Sequence, residues 1–311
     1  MGSEMCIRDS SNTKALNSTD GSASVVKATN TYSGTGGLHQ VYLGLGWSPF
    51  KGFAIGVNAA YLWGDYSRSV INSYTDAYAN TLSKYYTAEV HNYKLDFGMQ
   101  YTQKITKNDA ITLGVTYGLG HKLSSDPKCQ IISTNAQTAV ADTATYSIGN
   151  GLELPHSYGV GLMWNHANRW RVGADYTLQK WSSVAYPKFD TSTNSYELVS
   201  GQFADRHKMT VGGEFCPDER SRNFFKRVHY RMGASYATDY LKIKGQNGPK
   251  EYSVSAGFGI PIVNGYNNRS LLNISAQWVR QDSKTFVTEN SFRINIGLTF
   301  NERWFAKWKM E

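Results

Sequence analysis

A pattern of period two runs through most of this chain and limits what it can become. In SFRINIGLTF, residues 291–300, Phe292, Ile294, Ile296, Leu298 and Phe300 fall in one set, and Arg293, Asn295, Gly297 and Thr299 in the other. Successive side chains of a strand point to opposite faces, so such a segment has one greasy side and one wet side. The pattern returns from residue 38 onward. Val41, Leu43, Leu45 and Trp47 come first, then Phe53 to Trp63, Tyr93 to Tyr101, Ile111 to Leu119, Tyr158 to Trp164 and Trp170 to Leu178. His207 to Phe215, Val228 to Tyr236, Tyr252 to Ile260 and Leu272 to Trp278 complete the series. That makes about eleven candidate strands, most of them near the ~9–11 residues a tilted strand needs to cross a bilayer.

Two architectures alternate in this way. A soluble sandwich or propeller turns its apolar face inward and carries charge outside. Here the second face is Gly, Ser, Thr and Asn with sparse charges of both signs: Lys94, Asp96, Arg171, Asp175, Lys208, Glu214, Arg231, Asp239 and Arg293. The apolar face places Tyr, Trp or Phe near strand ends and aliphatic residues between them. Those are the aromatic girdles of an outer-membrane barrel, whose lumen is wet and salt-bridged. The predicted fold class is therefore all-β, an antiparallel transmembrane β-barrel, with the apolar face against lipid. Its surroundings are outer-membrane lipid and lipopolysaccharide, and it is expected to be a monomeric barrel of the bacterial outer membrane.

Connection lengths point the same way. Barrels of this type alternate short periplasmic turns with longer surface loops. The connections run short (48–51), long (66–85), short (106–109), very long (124–155), short (166–168) and long (182–204). The first visible strand then descends from the surface, which makes it an even-numbered strand. Eleven strands cannot close a single-chain barrel of even count, so the visible part is expected to be the C-terminal portion of a longer one. The opening MGSEMCIRDS has neither an apolar core nor a small-residue cleavage site, and EMCIRDS resembles translated adaptor sequence; the native start is expected upstream. The expected divisions are a polar loop over 1–37, barrel strands and loops over 38–300, and a periplasmic tail over 301–311. In that tail Trp304, Phe305 and Trp308 alternate with basic residues as an interfacial anchor.

Other classes find little support. No apolar run approaches the length of a membrane helix. The formal charge of +8 is spread one or two residues at a time, with no basic run, so nucleic acid is not an expected partner. Cys6, Cys129 and Cys216 show no CxxC spacing, and the seven His share no short spacing, so neither a disulfide framework nor a metal site is expected. GLGHKLSS at 118–125 lacks the ending of a phosphate loop. No GxSxG or comparable nucleophile arrangement appears, so no enzyme activity and no cofactor are expected.

The closing GLTFNERWFAKWKME resembles the end of Bacteroidetes members of the FadL/TodX family of outer-membrane transport proteins. That resemblance implies a 14-stranded barrel, plugged by an N-terminal hatch, that passes long-chain fatty acids and other hydrophobic molecules. The eleven strands would be the last eleven of fourteen. The loops at 66–85 and 124–155 would be the family's third and fourth surface loops, long and partly helical. The hatch and the family's kinked early strand are not matched, and no residue can be aligned by motif to those that hold a ligand carboxylate. Three functions fit: passive uptake of a hydrophobic small-molecule ligand such as a long-chain fatty acid, a FadL-like barrel serving as a scaffold or shuttle in protein secretion, and a general porin.

Two groups of residues stand out as candidate ligand contacts. In YSRSVINSYTDAYANTLSKYY, residues 66–86, Val70, Tyr74, Tyr78 and Leu82 recur every four residues, which predicts a helical stripe inside a surface loop. NAQTAVADTAT in the 124–155 loop is expected to form a second short helix beside it, either packing on the stripe or leaving an apolar groove. The lumen cations Lys94, Arg171, Lys208, Arg231 and Arg293 form the other group. Most such charges serve to fill and pair the interior.

Overall fold

Every long alternating segment forms a strand, because hydrocarbon leaves each backbone N–H and C=O no partner but a neighbouring strand. The computed structural model describes residues 10–16, 26–76, 78–135, 137–243, 245–262, 270–283 and 288–299. The wall consists of β1 (Ser10–Leu16), β2 (Val26–Phe50), β3 (Phe53–Tyr74), β4 (Thr81–Lys104), β5 (Asp109–Gly118), β6 (Ser157–His166), β7 (Trp170–Gln179), β8 (Arg206–Phe215), β9 (His229–Ala237), β10 (Lys250–Ile262), β11 (Ser270–Asp282) and β12 (Glu289–Thr299). Each is hydrogen-bonded to the next in an unbroken antiparallel order. Among the described residues no ladder joins β12 to the first strands. The stretch Leu38–Phe50 of β2 pairs with β3 alone.

The predicted facing holds. Ile294, Ile296, Leu298, Ile274 and Phe258 are exposed, from 37% for Ile274 to 73% for Ile296. Aromatic rings mark both ends of this outer face. Phe50–Phe53, Trp170–Phe215 and Tyr230–Phe258 neighbour one another at the short-turn end, and Tyr61–Trp63, Tyr117–Tyr158 and Tyr236–Tyr252 at the long-loop end. The opposite face presents Gly98, Gly114, Gly161, Gly173, Gly212, Gly233 and Gly257 with Ser, Thr and Asn between them.

Three expectations are corrected. The segment 1–37 is not all loop: β1 pairs with the start of β2 from Ser10↔Tyr32 to Leu16↔Val26, which gives twelve wall strands rather than eleven. A Ser/Thr/Asn-rich run has no apolar alternation to announce it, but the β2–β3 ladder beyond the membrane supplies backbone partners. The stretch 66–86 is not helical. β3 and β4 run on through it in continuous register to Asn72↔Leu82, and the connection shrinks to 75–80. A spacing of four repeats a face in a helix and equally in a strand, so the stripe alone could not separate the two. NAQTAVADTAT is likewise not a helix: a hairpin forms from Lys128–Thr134 and Ala141–Ser147, and its first strand pairs with β4 from Thr81↔Thr134 to Thr87↔Lys128. Phe300 and the tail 301–311 lie outside the described residues.

β3 holds 22 residues, roughly 70 Å at ~3.3 Å per residue, about twice the ~30 Å hydrocarbon core. The excess projects from the long-loop end. Where the strands leave the membrane, Gly36 and Gly64 adopt φ of +117° and +147° on facing strands. A side chain at Gly64 would collide with the carbonyl oxygen of Gly37, and one at Gly36 with that of Asp65.

Gly64→Ala is therefore expected to destabilise the folded protein by about 1–3 kcal/mol, the usual cost of a disallowed φ. Gly297→Ala, where an added Cβ meets nothing within 4 Å, is the near-neutral control. Urea midpoints in detergent, followed by heat-modifiable gel mobility, test the pair.

Candidate functional site

The inner face of β3 and β4 continues above the membrane and is covered there by chain from the long loops. Val90 pairs with Ser125 through an isolated bridge, and beyond it the 128–134 strand extends the sheet. A separate hairpin, Tyr186–Asp190 with Ser195–Val199, meets this surface through side chains. Tyr196 faces Tyr86 with ring centres 6.5 Å apart, Phe189 faces Tyr146 at 5.3 Å, and Lys84 lies 5.1 Å over the Phe189 ring. Tyr186 reaches Phe203, which stands beside Trp181 and Tyr240. Leu62, Ala88, Val90, Leu123, Cys129 and Val184, on the same segments, are buried, as are Phe189 and Phe203.

This cap is aromatic, with Arg68 and Lys84 set over its rings. Burial pushes the Tyr66 phenol far above its ordinary range, with neighbouring Tyr186 adding to the effect; burial does the same at Tyr196, reinforced by Cys129. Burial also raises the Cys129 thiol. All three stay protonated at physiological pH, and the nearby Arg68 guanidinium lies 4.7 Å over the Tyr86 ring as a cation–π contact.

Beneath the cap the inner wall is glycine-lined and polar, and near the short-turn end it carries a charge belt. Arg171 on β7, Glu214 on β8 and Arg231 on β9 are ladder neighbours on one face. Glu214 accepts from Arg171 Nη1 at 3.0 Å, from Arg231 Nε at 2.6 Å and contacts His229 Nδ1 at 3.1 Å. Arg231 Nη1 donates to Asn273 Oδ1 at 2.6 Å, and Asn273 donates on to Thr299. β10 presents Gly257 and Gly259 here; a Cβ at Gly259 would stand 3.1 Å from His229 Cβ and 3.4 Å from Arg231 Nη2, so the strand runs close beneath both side chains. Arg231, Ser255, Asn273, Gln277 and Asn295 line a groove of about 330 Å³ on this face.

The structure thus brings Arg171 and Arg231 together through a carboxylate. Lys94 pairs with Asp96 on its own strand at 2.6 Å. Lys208 and Arg293 share the inner face but make no ion pair among the described residues. Val70, Tyr74 and Leu82 lie on one face of the β3–β4 tip, with Val70 and Leu82 half-buried, and Tyr78 sits in the connecting turn, 81% exposed. The cap residues Tyr66, Tyr86, Tyr186 and Tyr196 were not singled out from the sequence. A signal existed for two of them: YPKFD and SYELV flank a Thr-Ser-Thr-Asn turn, the pattern of a hairpin.

A family model matches residues 10–311, and its description is BamG. The chain belongs to the BamG family. Among solved structures it is similar to the CymD monoaromatic hydrocarbon channel, with 12% identity, a TM-score of 0.54, and coverage of 89% of this chain and 73% of that one. The toluene transporter TbuX of Ralstonia pickettii matches at 12% identity and a TM-score of 0.53, over 93% of this chain and 85% of that one. A FadL homologue of Pseudomonas aeruginosa matches at 13% and 0.51, over 83% and 66%. No curated protein gives a significant match. At such identities the likeness establishes the fold, that of FadL-like outer-membrane channels. The exposed apolar band between two aromatic girdles places the chain in the outer membrane.

Glu214→Gln is expected to cost about 2 kcal/mol, between an exposed pair and a fully buried one, because both guanidiniums are more than a third exposed. In a double-mutant cycle with Arg231→Gln the two losses should be non-additive, as read from urea midpoints.

The cap also has an acid-sensitive fastening. Asp205 is pushed up by burial, but hydrogen bonds from Lys180 and Ser182 outweigh this and hold its carboxyl at about 2. A folded-state value below the ordinary carboxylate value of about 3.9 gives stability that is present above that pH and lost as pH falls toward 2. Pepsin should cut within 181–204 increasingly between about pH 4 and 2. Asp205→Asn should remove the pH dependence of this cutting.

Proposed function

We propose that the chain acts as a passive outer-membrane channel for hydrophobic small molecules, long-chain fatty acids among them, and not as an enzyme. One observation carries this reading: an aromatic cap with protonated phenols lies on the outer end of an otherwise polar, glycine-lined inner wall. Such a cap offers apolar ring faces and phenol hydroxyls where a ligand arrives from outside. Val70, Tyr74, Tyr78 and Leu82 at the β3–β4 tip provide first contact, now from a sheet face and its turn rather than from a helix. The inner-face cations then meet an acidic headgroup; Lys208 and Arg293 suit this best, since Lys94, Arg171 and Arg231 already hold carboxylates.

A second reading is a FadL-like barrel serving as a scaffold in protein secretion, with an edge of the wall receiving another chain. Leu38–Phe50 has a ladder on one side alone among the described residues, and Val41, Leu43, Leu45 and Trp47 are each exposed by 65% or more. An edge of that kind takes a further strand, from upstream in this protein in the first reading and from another chain in the second.

Replacing Tyr74 and Tyr78 together by Ser is expected to lower uptake of a labelled long-chain fatty acid or toluene several-fold in cells. Heat-modifiable mobility should remain unchanged. Unchanged uptake in a folded variant, together with co-purification of other outer-membrane chains, would favour the scaffold.

A further inference from the structure

The turn between β8 and β9, at the short-turn end, gathers three metal-ligating side chains, of which His229 also touches the charge belt through Glu214. Cys216 follows β8 directly, and its N–H donates to the Arg169 carbonyl at 2.8 Å. Its thiol is 2% exposed. It has no nearby sulfur to pair with, since the other described cysteine, Cys129, is buried in the cap. His229 opens β9 and is 8% exposed, while Glu219 stands on the exposed rim of the turn. Cys216 Sγ, a Glu219 carboxylate oxygen and a ring nitrogen of His229 all lie within 4.8 Å of one another. Backbone and Asx contacts hold the turn: Asp218 N–H donates to the Lys226 carbonyl at 2.9 Å, and Asp218 Oδ1 accepts from Arg220 N–H at 3.0 Å. The Cys216 thiol adds long contacts of 3.8 Å to the Lys226 and Arg227 carbonyls, which a metal would replace.

We propose that Cys216, Glu219 and His229 form a binding site for a zinc ion. Three observations carry the assignment. The donor set of one sulfur, one imidazole and one carboxylate matches a borderline-soft cation, and the sulfur disfavours magnesium or calcium. The donors converge from two strand ends and a pre-formed turn, so small side-chain rotations bring them to bonding distance. The imidazole is already oriented, because the Glu214 carboxylate engages Nδ1 at 3.1 Å; a proton on Nδ1 donated to that carboxylate would leave Nε2 as the metal donor. That carboxylate–histidine pairing recurs behind metal-bound imidazoles. Arg231 and Arg171 fix Glu214 in turn, so the charge belt serves as the outer support of the site.

Binding exchanges the Cys216 thiol proton for the metal: one S–H bond breaks, one Zn–S bond forms, and the proton leaves to solvent. Three protein donors leave a fourth position for water. No CxxC or HxxxH spacing announces the site, because its ligands are brought together by the turn and not by a short repeat.

The experiment uses the untagged protein purified in detergent, stripped with a chelator and titrated with Zn²⁺ against a chromophoric competitor. One zinc per chain is expected, with proton release. Co²⁺ should give a thiolate-to-cobalt charge-transfer band that Cys216→Ser abolishes. Glu219→Gln lies on an exposed rim and leaves the fold intact; it should weaken zinc binding about tenfold or more. No zinc retained against the competitor, or equal affinity in folded Cys216→Ser and Glu219→Gln, would overturn the site. Should Cys216→Ser fail to fold, the Glu219→Gln affinity decides.

Discussion

Inside a bilayer an amide group has no water to turn to, and this requirement organises the whole molecule. It forces the alternating segments into continuous ladders and makes each strand depend on its neighbours. It also separates the two faces. With hydrogen bonds directed sideways, side chains are left to meet lipid on one surface and water on the other. Ile296 and Asn295 are adjacent in sequence and stand in those two different solvents.

The inner surface shows how little side-chain bulk that arrangement needs. Glycine faces glycine across Gly114↔Gly161 and Gly173↔Gly212↔Gly233. Most of the inner-face charge near the short turns is paired, while Lys208 and Arg293 make no ion pair among the described residues. The belt from Arg171 to Thr299 is built on one carboxylate. Glu214 thereby connects the wall to the turn that carries Cys216 and Glu219, so one acidic side chain serves two neighbourhoods.

What could be read from the sequence follows from the range of the interactions involved. Period-two alternation is local, so β2 to β12 and their facing were legible, Ile294 and Arg293 included. The β3–β4 extension was not, because Val70, Tyr74, Tyr78 and Leu82 share a face under either a helical or an extended backbone. β1 was hidden for another reason: SSNTKAL is held by its ladder and has little apolar pattern of its own. The cap was least legible. Tyr66, Cys129 and Tyr196 belong to three distant segments, and their proximity is a tertiary fact with no local signature. The lumen cations were recognised, but which of them would be paired depended on cross-strand register.

The cap is attached to the wall in two unequal ways. Its floor, the outer part of β3 and β4 with the 128–134 strand, shares backbone ladders with the barrel wall. Its roof, the 186–199 hairpin, forms a two-stranded sheet of its own and meets the floor through ring contacts. The compliance of the outer end is therefore localised. The floor moves as one mechanical body with the barrel, and the roof can peel away by breaking side-chain contacts alone.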